Sequence, residues 1–272
     1  MRIAFIGGGN MARAIIGGLL AKQAAQAAEI MVVEPDASTR LRLLAEHGVK
    51  AIEAPSADLA YAHVVIMAVK PQNMREAAES LAAVVGESLF ITIAAGIRIA
   101  DLSRWLGGKT RIVRAMPNTP AMVHAGITGL HAPASVGPED RGHAERLMAA
   151  VGATLWFENE GDLDAVVAVS GSGPAYVFYA IEALESAAKS LGLPDGASRS
   201  LALWTFVGAT KLAIERGVDP ATLRAQVTSK GGTTEAAIRV LDAAGIKKHF
   251  GDAVRAARDR SVEMGEALGK DH

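Results

Sequence analysis

The chain has 272 residues, half of them hydrophobic and 21% charged, with 28 Lys or Arg against 29 Asp or Glu and no cysteine. That length fits two modest domains, and so apolar a composition excludes intrinsic disorder. A net charge of −1 leaves no electrostatic footprint for nucleic acid or an anionic membrane. The missing cysteine excludes disulfide frameworks, thiol catalysis and thiolate metal sites.

Near the start, Arg2 is followed by an apolar run that Asn10 and Arg13 break, far short of the roughly 20 apolar residues that cross a bilayer. A signal peptide would need a longer apolar region and a following cleavage site of small residues. The expectation is a cytoplasmic protein with no membrane and no nucleic-acid partner.

Two periodicities alternate along the first 130 residues. Short runs rich in Val and Ile fall at 2–6, 30–34, 63–68, 89–93 and 111–115, with helical stretches between them at 10–25, 38–47, 73–85 and 99–106. Strands apolar on both faces and separated by helices specify a parallel sheet covered on both sides, which right-handed crossovers make doubly wound. A helix at 139–151 and a strand at 154–157 complete this part, expected to span 1–160.

After Glu160 the strand signal vanishes, and helices are expected at 173–191, 196–216, 233–244 and 246–268, an all-α domain over 161–272. Leu201, Trp204, Gly208 and Leu212 share one helical face. A glycine inside a helix costs roughly 1 kcal/mol against alanine, and close helix–helix approach is the expected compensation at Gly208. Ala180, Ala183 and Ala187 make a similar stripe of small residues. Such faces can pack within the bundle or on a second copy. So much helix hanging from one compact domain favours the second copy, a homodimer.

The segment Gly7-Gly8-Gly9-Asn10-Met11-Ala12 has the G-x-G-x-x-A form between a strand and a helix, the context a dinucleotide-binding loop requires. Gly7 serves the sharp turn, Gly9 leaves room for a pyrophosphate, and Ala12 lets the helix pack on the strand. The free N–H groups at the helix start favour the phosphates. Glu34 ends the second strand, 22 residues after Ala12. An acid there accepts the adenosine ribose hydroxyls and repels a 2′-phosphate, favouring NAD. Ser38, Thr39 and Arg40 follow closely and could hold that phosphate if Glu34 turned aside, and a solvated Glu34 before the Pro35-Asp36 turn is the bland alternative. Both NADP and NAD stay open at this point.

Three segments follow strand ends: Ala68-Val69-Lys70-Pro71-Gln72, Ala94-Ala95-Gly96 and Met116-Pro117-Asn118-Thr119-Pro120. In an open α/β sheet the ligand crevice lies at the carboxyl ends of the strands, so these segments are expected to line it together. Asn118 or Thr119 can bond the carboxamide or ribose, and Lys70 is either a cofactor contact or a surface lysine. In the helical half, Ser170-Gly171-Ser172-Gly173-Pro174-Ala175-Tyr176 opens one helix and Thr228-Ser229-Lys230-Gly231-Gly232-Thr233-Thr234 another. The second offers hydroxyls and successive N–H groups at a helix start, a carboxylate site in preference to a plain cap.

No metal-binding motif or P-loop occurs. His47, His63, His124, His131, His143, His249 and the terminal His272 are scattered and read as surface or helix-end residues, not ligands. The only titratable group within 170–176 is Tyr176, so no strong base lies in that stretch. An electrophile that already carries a proton needs none.

Together FIGGGNMA, VKPQ, RAMPNTP, SGSGPAY and TSKGGTT run nearly end to end, and the chain resembles the pyrroline-5-carboxylate reductases. The resemblance implies a Rossmann domain followed by an all-α dimerisation domain, and reduction of the cyclic imine 1-pyrroline-5-carboxylate to L-proline by hydride from NADPH or NADH. It also implies a homodimer, which can assemble further into a decamer of five dimers. Carried over by position, Gly7, Gly9, Asn10, Met11 and Ala12 contact the cofactor pyrophosphate, while Val69, Lys70, Pro71, Ala95 and Asn118 surround the nicotinamide half. Ser229, Gly231, Gly232 and Thr233 receive the substrate carboxylate, and Thr234 contacts the substrate nitrogen as the catalytic hydroxyl. Lys230 stands where many relatives have proline, and Glu34 departs from the phosphate-friendly residues of NADPH-preferring relatives, which favours NADH. The competing readings are a hydroxyacid dehydrogenase of related build, which should show a Lys or His in the hydride path, and a non-catalytic nucleotide sensor, which has no use for the 228–234 turn.

Overall fold

The strands of the N-terminal half are so apolar that β1 (Ile3–Ile6), β4 (Val64–Met67) and β5 (Leu89–Thr92) are buried at every residue. With β2 (Ile30–Val33), β3 (Lys50–Ile52), β6 (Ile112–Met116), β7 (Gly126–His131) and β8 (Gly152–Trp156) they form one sheet in the order β3-β2-β1-β4-β5-β6-β7-β8. All neighbours are parallel except β6 and β7. The doubly wound, mainly parallel sheet read from the sequence is therefore present. The computed structural model describes residues 1–270, and His272 lies outside them.

Helices cover both faces of the sheet. On one, α1 (Asn10–Ala21) and α5 (Pro138–Ala149) bury Ile15, Ile16, Leu19, Leu147 and Met148. On the other, α3 (Met74–Leu81) and α4 (Ile99–Trp105) bury Met74, Leu81, Leu102 and Trp105. A further helix, α2 (Ala37–His47), links β2 to β3.

Two strands escaped the sequence reading. The three-residue β3 lies at the sheet edge with Lys50 exposed, too short for an alternating pattern to register. In β7, two glycines mimic a turn but answer steric need. A Cβ on Gly126 would lie 2.9 Å from the Ala121 nitrogen, and one on Gly129 would lie 2.8 Å from Val166 Cγ1.

The chain divides into two compact units, one of residues 1–172 with the segment from Ala257 onward, the other of residues 173–256. The first unit thus includes α6 (Asp162–Val166), the π-turn Val167–Gly171 and the end of the last helix, α11 (Ile246–Leu268). Ser261 of α11 donates to Asp164 at 2.8 Å, and Gly265 lies so close to Gly96 that a Cβ there would sit 3.3 Å from the Gly96 carbonyl oxygen.

The second unit holds α7 (Gly173–Ser190), α8 (Asp195–Arg216), α9 (Pro220–Gln226), α10 (Thr233–Ala243) and the beginning of α11. Four of these match the helices expected, and α9, a two-turn helix capped by Asp219, does not appear in that reading. α7 packs on α8, yet only Ser198 and Ala202 are buried among residues 173–256. Apart from its own helix backbone, no atom lies within 4 Å of a Cβ built on Gly208, so of the two packings expected for this face the one within the chain is not seen. Ala180, Ala183 and Ala187 instead line an open apolar groove of about 680 Å³ with Tyr179, Phe206 and Phe250. Among the described residues, no helix is long and apolar enough to cross a membrane.

Candidate functional site

The loop after β1 has the geometry a dinucleotide needs. Gly7 has φ +97°, and a Cβ on it would lie 2.8 Å from the Ala68 carbonyl oxygen, so only glycine fits the turn. Gly9 caps α1 from an extended conformation and faces open space, with nothing within 4 Å of an added Cβ. The start of α1 has no side-chain cap and no acid in its first turn, which leaves its N–H groups and positive dipole end available to an anion. Asn10 is exposed, Met11 half-buried, and Ala12 is buried against the core.

At the end of β2, Glu34 is neither solvated nor turned aside. Its Oε2 accepts the Gly8 N–H at 2.8 Å and its Oε1 the Asp36 N–H at 2.9 Å, folding the carboxylate over the glycine loop. Asp36 caps α2, accepting from the Ser38 hydroxyl at 2.6 Å and the Thr39 N–H at 2.7 Å. The Ser38 hydroxyl, followed by Thr39, holds the Asp36 carboxyl down at about 2. Arg40 donates to the carbonyls of Glu34 at 2.8 Å and Pro35 at 2.6 Å. The sequence reading placed Asp36 in a turn and missed its cap role, although an Asp just before a helical stretch is a helix-capping signal.

The three strand-end segments lie along the carboxyl edges of neighbouring strands β4, β5 and β6. Val69 packs beside Gly7, with its Cγ1 3.1 Å from where a Gly7 Cβ would be, Lys70 is exposed, and Pro71 opens a 3-10 turn. Ala95 is half-buried beside Gly96, whose φ is +77°. Asn118 is buried and already engaged. Its Nδ2 donates to the Ser170 carbonyl and its Oδ1 accepts the Ile127 N–H, both at 3.0 Å. It is a brace across the loop, with one amide hydrogen left for a ligand.

A buried ionic cluster supports the 94–98 segment. Arg114 of β6 is 0% exposed, 3.3 Å from Glu160 and 3.7 Å from Asp164. Burial works against its charge, and the two carboxylates oppose that effect. Arg98 donates to Asp164 at 2.6 Å, and Glu160 accepts the Ile99 N–H at 2.8 Å. His131, read as a surface or helix-end residue, is also buried here in the sheet, its Nδ1 3.0 Å from the Phe157 carbonyl oxygen.

In the helical unit, the turn before α10 presents a second uncapped helix start. Gly231 has φ +73°, and Gly232 caps α10 without a side-chain bond. The N–H groups of Thr233 and Thr234 in the first turn have no partner within the helix. A Cβ on Gly232 would lie 2.5 Å from Ser229 Oγ, so glycine lets that hydroxyl tuck against the backbone. Ser229 is exposed and Thr234 half-buried. Two groups are otherwise occupied. The Thr228 hydroxyl donates to the Arg224 carbonyl at 2.6 Å, and the Gly231 N–H donates to Glu235 Oε2 at 2.8 Å. Glu235 was missed, although an acid in the first helical turn is a recognisable signal.

The family described as "Pyrroline-5-carboxylate reductase dimerisation" matches residues 160–264, and one described as "NADP oxidoreductase coenzyme F420-dependent" matches residues 2–96. A pyrroline-5-carboxylate reductase of Pseudomonas aeruginosa is 44% identical over 270 residues, covering 99% of this chain and 98% of its own. A solved pyrroline-5-carboxylate reductase of Coxiella burnetii superposes with a TM-score of 0.91 at 39% identity, covering 97% of this chain and 98% of its own. The Plasmodium falciparum pyrroline carboxylate reductase, solved with NADP bound, gives 0.85 at 25% identity over the same shares.

Proposed function

Because the chain belongs to the pyrroline-5-carboxylate reductase family, it reduces the C=N bond of 1-pyrroline-5-carboxylate to give L-proline with hydride from NAD(P)H, and we propose which residues carry each part of that task. The observation that supports the assignment best is a pair of uncapped helix starts, one beside an open glycine loop and one beside a hydroxyl-bearing turn.

Gly7, Gly9, Asn10, Met11 and Ala12 hold the pyrophosphate, where α1 offers N–H groups and space together. Glu34 receives the adenosine ribose. Val69, Lys70, Pro71, Ala95 and Asn118 enclose the nicotinamide end, Asn118 mainly by fixing its loop. When bound, the reduced nicotinamide supplies a hydride for C5 of the imine ring.

Ser229, Gly231, Gly232 and Thr233 hold the substrate carboxylate. The Ser229 hydroxyl and the N–H groups of the α10 start donate to it, while the left-handed turn at Gly231 aims them. Thr234 places its hydroxyl at the ring nitrogen, which becomes an amine and takes a proton as the C=N bond is reduced. No strong base is required, because the substrate nitrogen gains a proton and loses none. Catalysis then comes mainly from alignment of the reacting carbons.

On this reading residues 1–160 serve the cofactor, and 161–272 serve substrate binding and dimerisation. The chain carries a dimerisation domain and takes a small-molecule substrate. Assembly of five dimers into a decamer, from family resemblance, and a cytoplasmic location, from the sequence, complete the proposal. A hydroxyacid dehydrogenase or a non-catalytic sensor is not favoured beside full-length identity to imine reductases.

Oxidation of reduced nucleotide on adding 1-pyrroline-5-carboxylate tests the reaction. The carboxylate-free ring 1-pyrroline tests the anion site. The expected result is turnover of the first and a much raised KM for the second. Equal KM values would remove the 229–233 turn from substrate binding.

A further inference from the structure

We infer that this enzyme selects NADH over NADPH, and that Asp36, acting with Glu34, makes the selection by occupying the start of α2 where a 2′-phosphate would be received. The inference rests on the dinucleotide reading of the glycine loop and goes beyond it by naming which nucleotide fits and why.

The groups able to hold an extra phosphate just after β2 are the Ser38 hydroxyl, the Thr39 N–H at the start of α2 and the Arg40 guanidinium. Each already has an acceptor within the chain. Ser38 and Thr39 donate to Asp36 Oδ2 at 2.6 and 2.7 Å. Arg40 Nη1 donates to the carbonyls of Glu34 and Pro35, and its Nη2 lies 3.5 Å from Glu53. Asp36 therefore stands in the chain's own structure as the anion of that helix start. With its carboxyl held at about 2, chiefly by the Ser38 hydroxyl, it is ionised at any physiological pH.

Glu34 adds a second negative charge. Its carboxylate is fixed by the Gly8 and Asp36 N–H groups, one on each oxygen, and each oxygen keeps lone pairs for further donors. A ribose bearing two hydroxyls supplies such donors. A 2′-phosphate supplies additional negative charge and would sit among like charges, an arrangement recognition sites use to reject a wrong ligand. Arg40, the cation that follows, has its Nη1 turned onto backbone carbonyls, so bringing that nitrogen to a phosphate would break both bonds.

Two measurements test the inference, dissociation constants of NADH and NADPH from dihydronicotinamide fluorescence without imine, and kcat/KM for each nucleotide with imine. Wild-type protein is expected to favour NADH by about ten-fold or more in both. Asp36→Ser keeps a helix cap and removes the anion from the start of α2, so the ratio should move toward NADPH by about ten-fold. Adding Glu34→Gln should move it further. Equal or tighter NADPH binding by wild-type protein overturns the inference, and so does an unmoved ratio in the folded double variant. If the variants do not fold, the wild-type ratio decides alone. If neither nucleotide binds, the dinucleotide reading itself falls.

Discussion

The sheet unit and the helical unit handle apolar surface in opposite ways. In the first, β1, β4 and β5 are buried throughout and two cores close against the covering helices. In the second, α7, α9 and α10 bury no residue, while Phe178, Tyr179, Trp204 and Ile214 stand exposed. A unit with so little interior cannot hold itself together by burial of its own side chains. Residues 160–264 match a dimerisation family, and a second copy is the partner such exposed faces would call for. The difference teaches that the sheet unit closes its core within one chain, whereas the helical unit leaves its apolar faces open.

The sharpest way to break this comparison is charge placed on the exposed face of the helical unit. Trp204→Glu should convert dimer to monomer and abolish activity at assay concentrations, read by light scattering and turnover. A dimer of unchanged stability would show that this face is not used.

In the sheet unit, Asp164→Ala leaves Arg98 and Arg114 facing each other with one carboxylate fewer. Breaking a buried pair in this way costs about 3–5 kcal/mol, a fall of about 10 °C in Tm for a chain of this size. Phe5→Ala should cost about 3–5 kcal/mol through cavity formation. Both losses should be seen by denaturation of the dimer at constant concentration, and a change under 1 kcal/mol would refute either assignment.

Smaller but more local is Gly9→Ala. An added methyl meets no atom of the protein, so stability should hardly change while dinucleotide affinity falls several-fold, measured by fluorescence titration. Unchanged affinity would move the pyrophosphate away from Gly9.

The smallest effect is a pH dependence. The Asp36 carboxyl falls from 3.8 to about 2 on folding, so its contribution is fully present above about pH 4 and lost as pH falls toward 2. Asp36→Asn should therefore reduce stability slightly at neutral pH and make no difference near pH 2, as acid-denaturation curves of the two proteins will show.

Local features were the legible ones. The glycine loop, its strand and its helix lie within twenty residues, and the strands announce themselves by Val and Ile on both faces. Strand β7 was hidden because Gly126 and Gly129 signal a turn, whereas the fold needs them to let Ala121 and Val166 approach. The cluster around Arg114 was hidden because its members come from distant parts of the chain, Ser261 lying 97 residues beyond Asp164. Glu34 was legible as an acid at a strand end, but its two N–H bonds, and the role of Asp36 beside it, depend on how the loops fold back. Gly208 was legible as an unusual glycine, but no atom outside its own helix lies within 4 Å of a Cβ built there.

The proposed role of Thr234 is tested most directly by Thr234→Ala, with turnover measured at saturating imine and nucleotide affinity measured separately by fluorescence. The expected result is a loss of about 100-fold in kcat with the nucleotide dissociation constant within two-fold of wild type. Full turnover in the variant would contradict it, because the hydroxyl would then play no part at the substrate nitrogen.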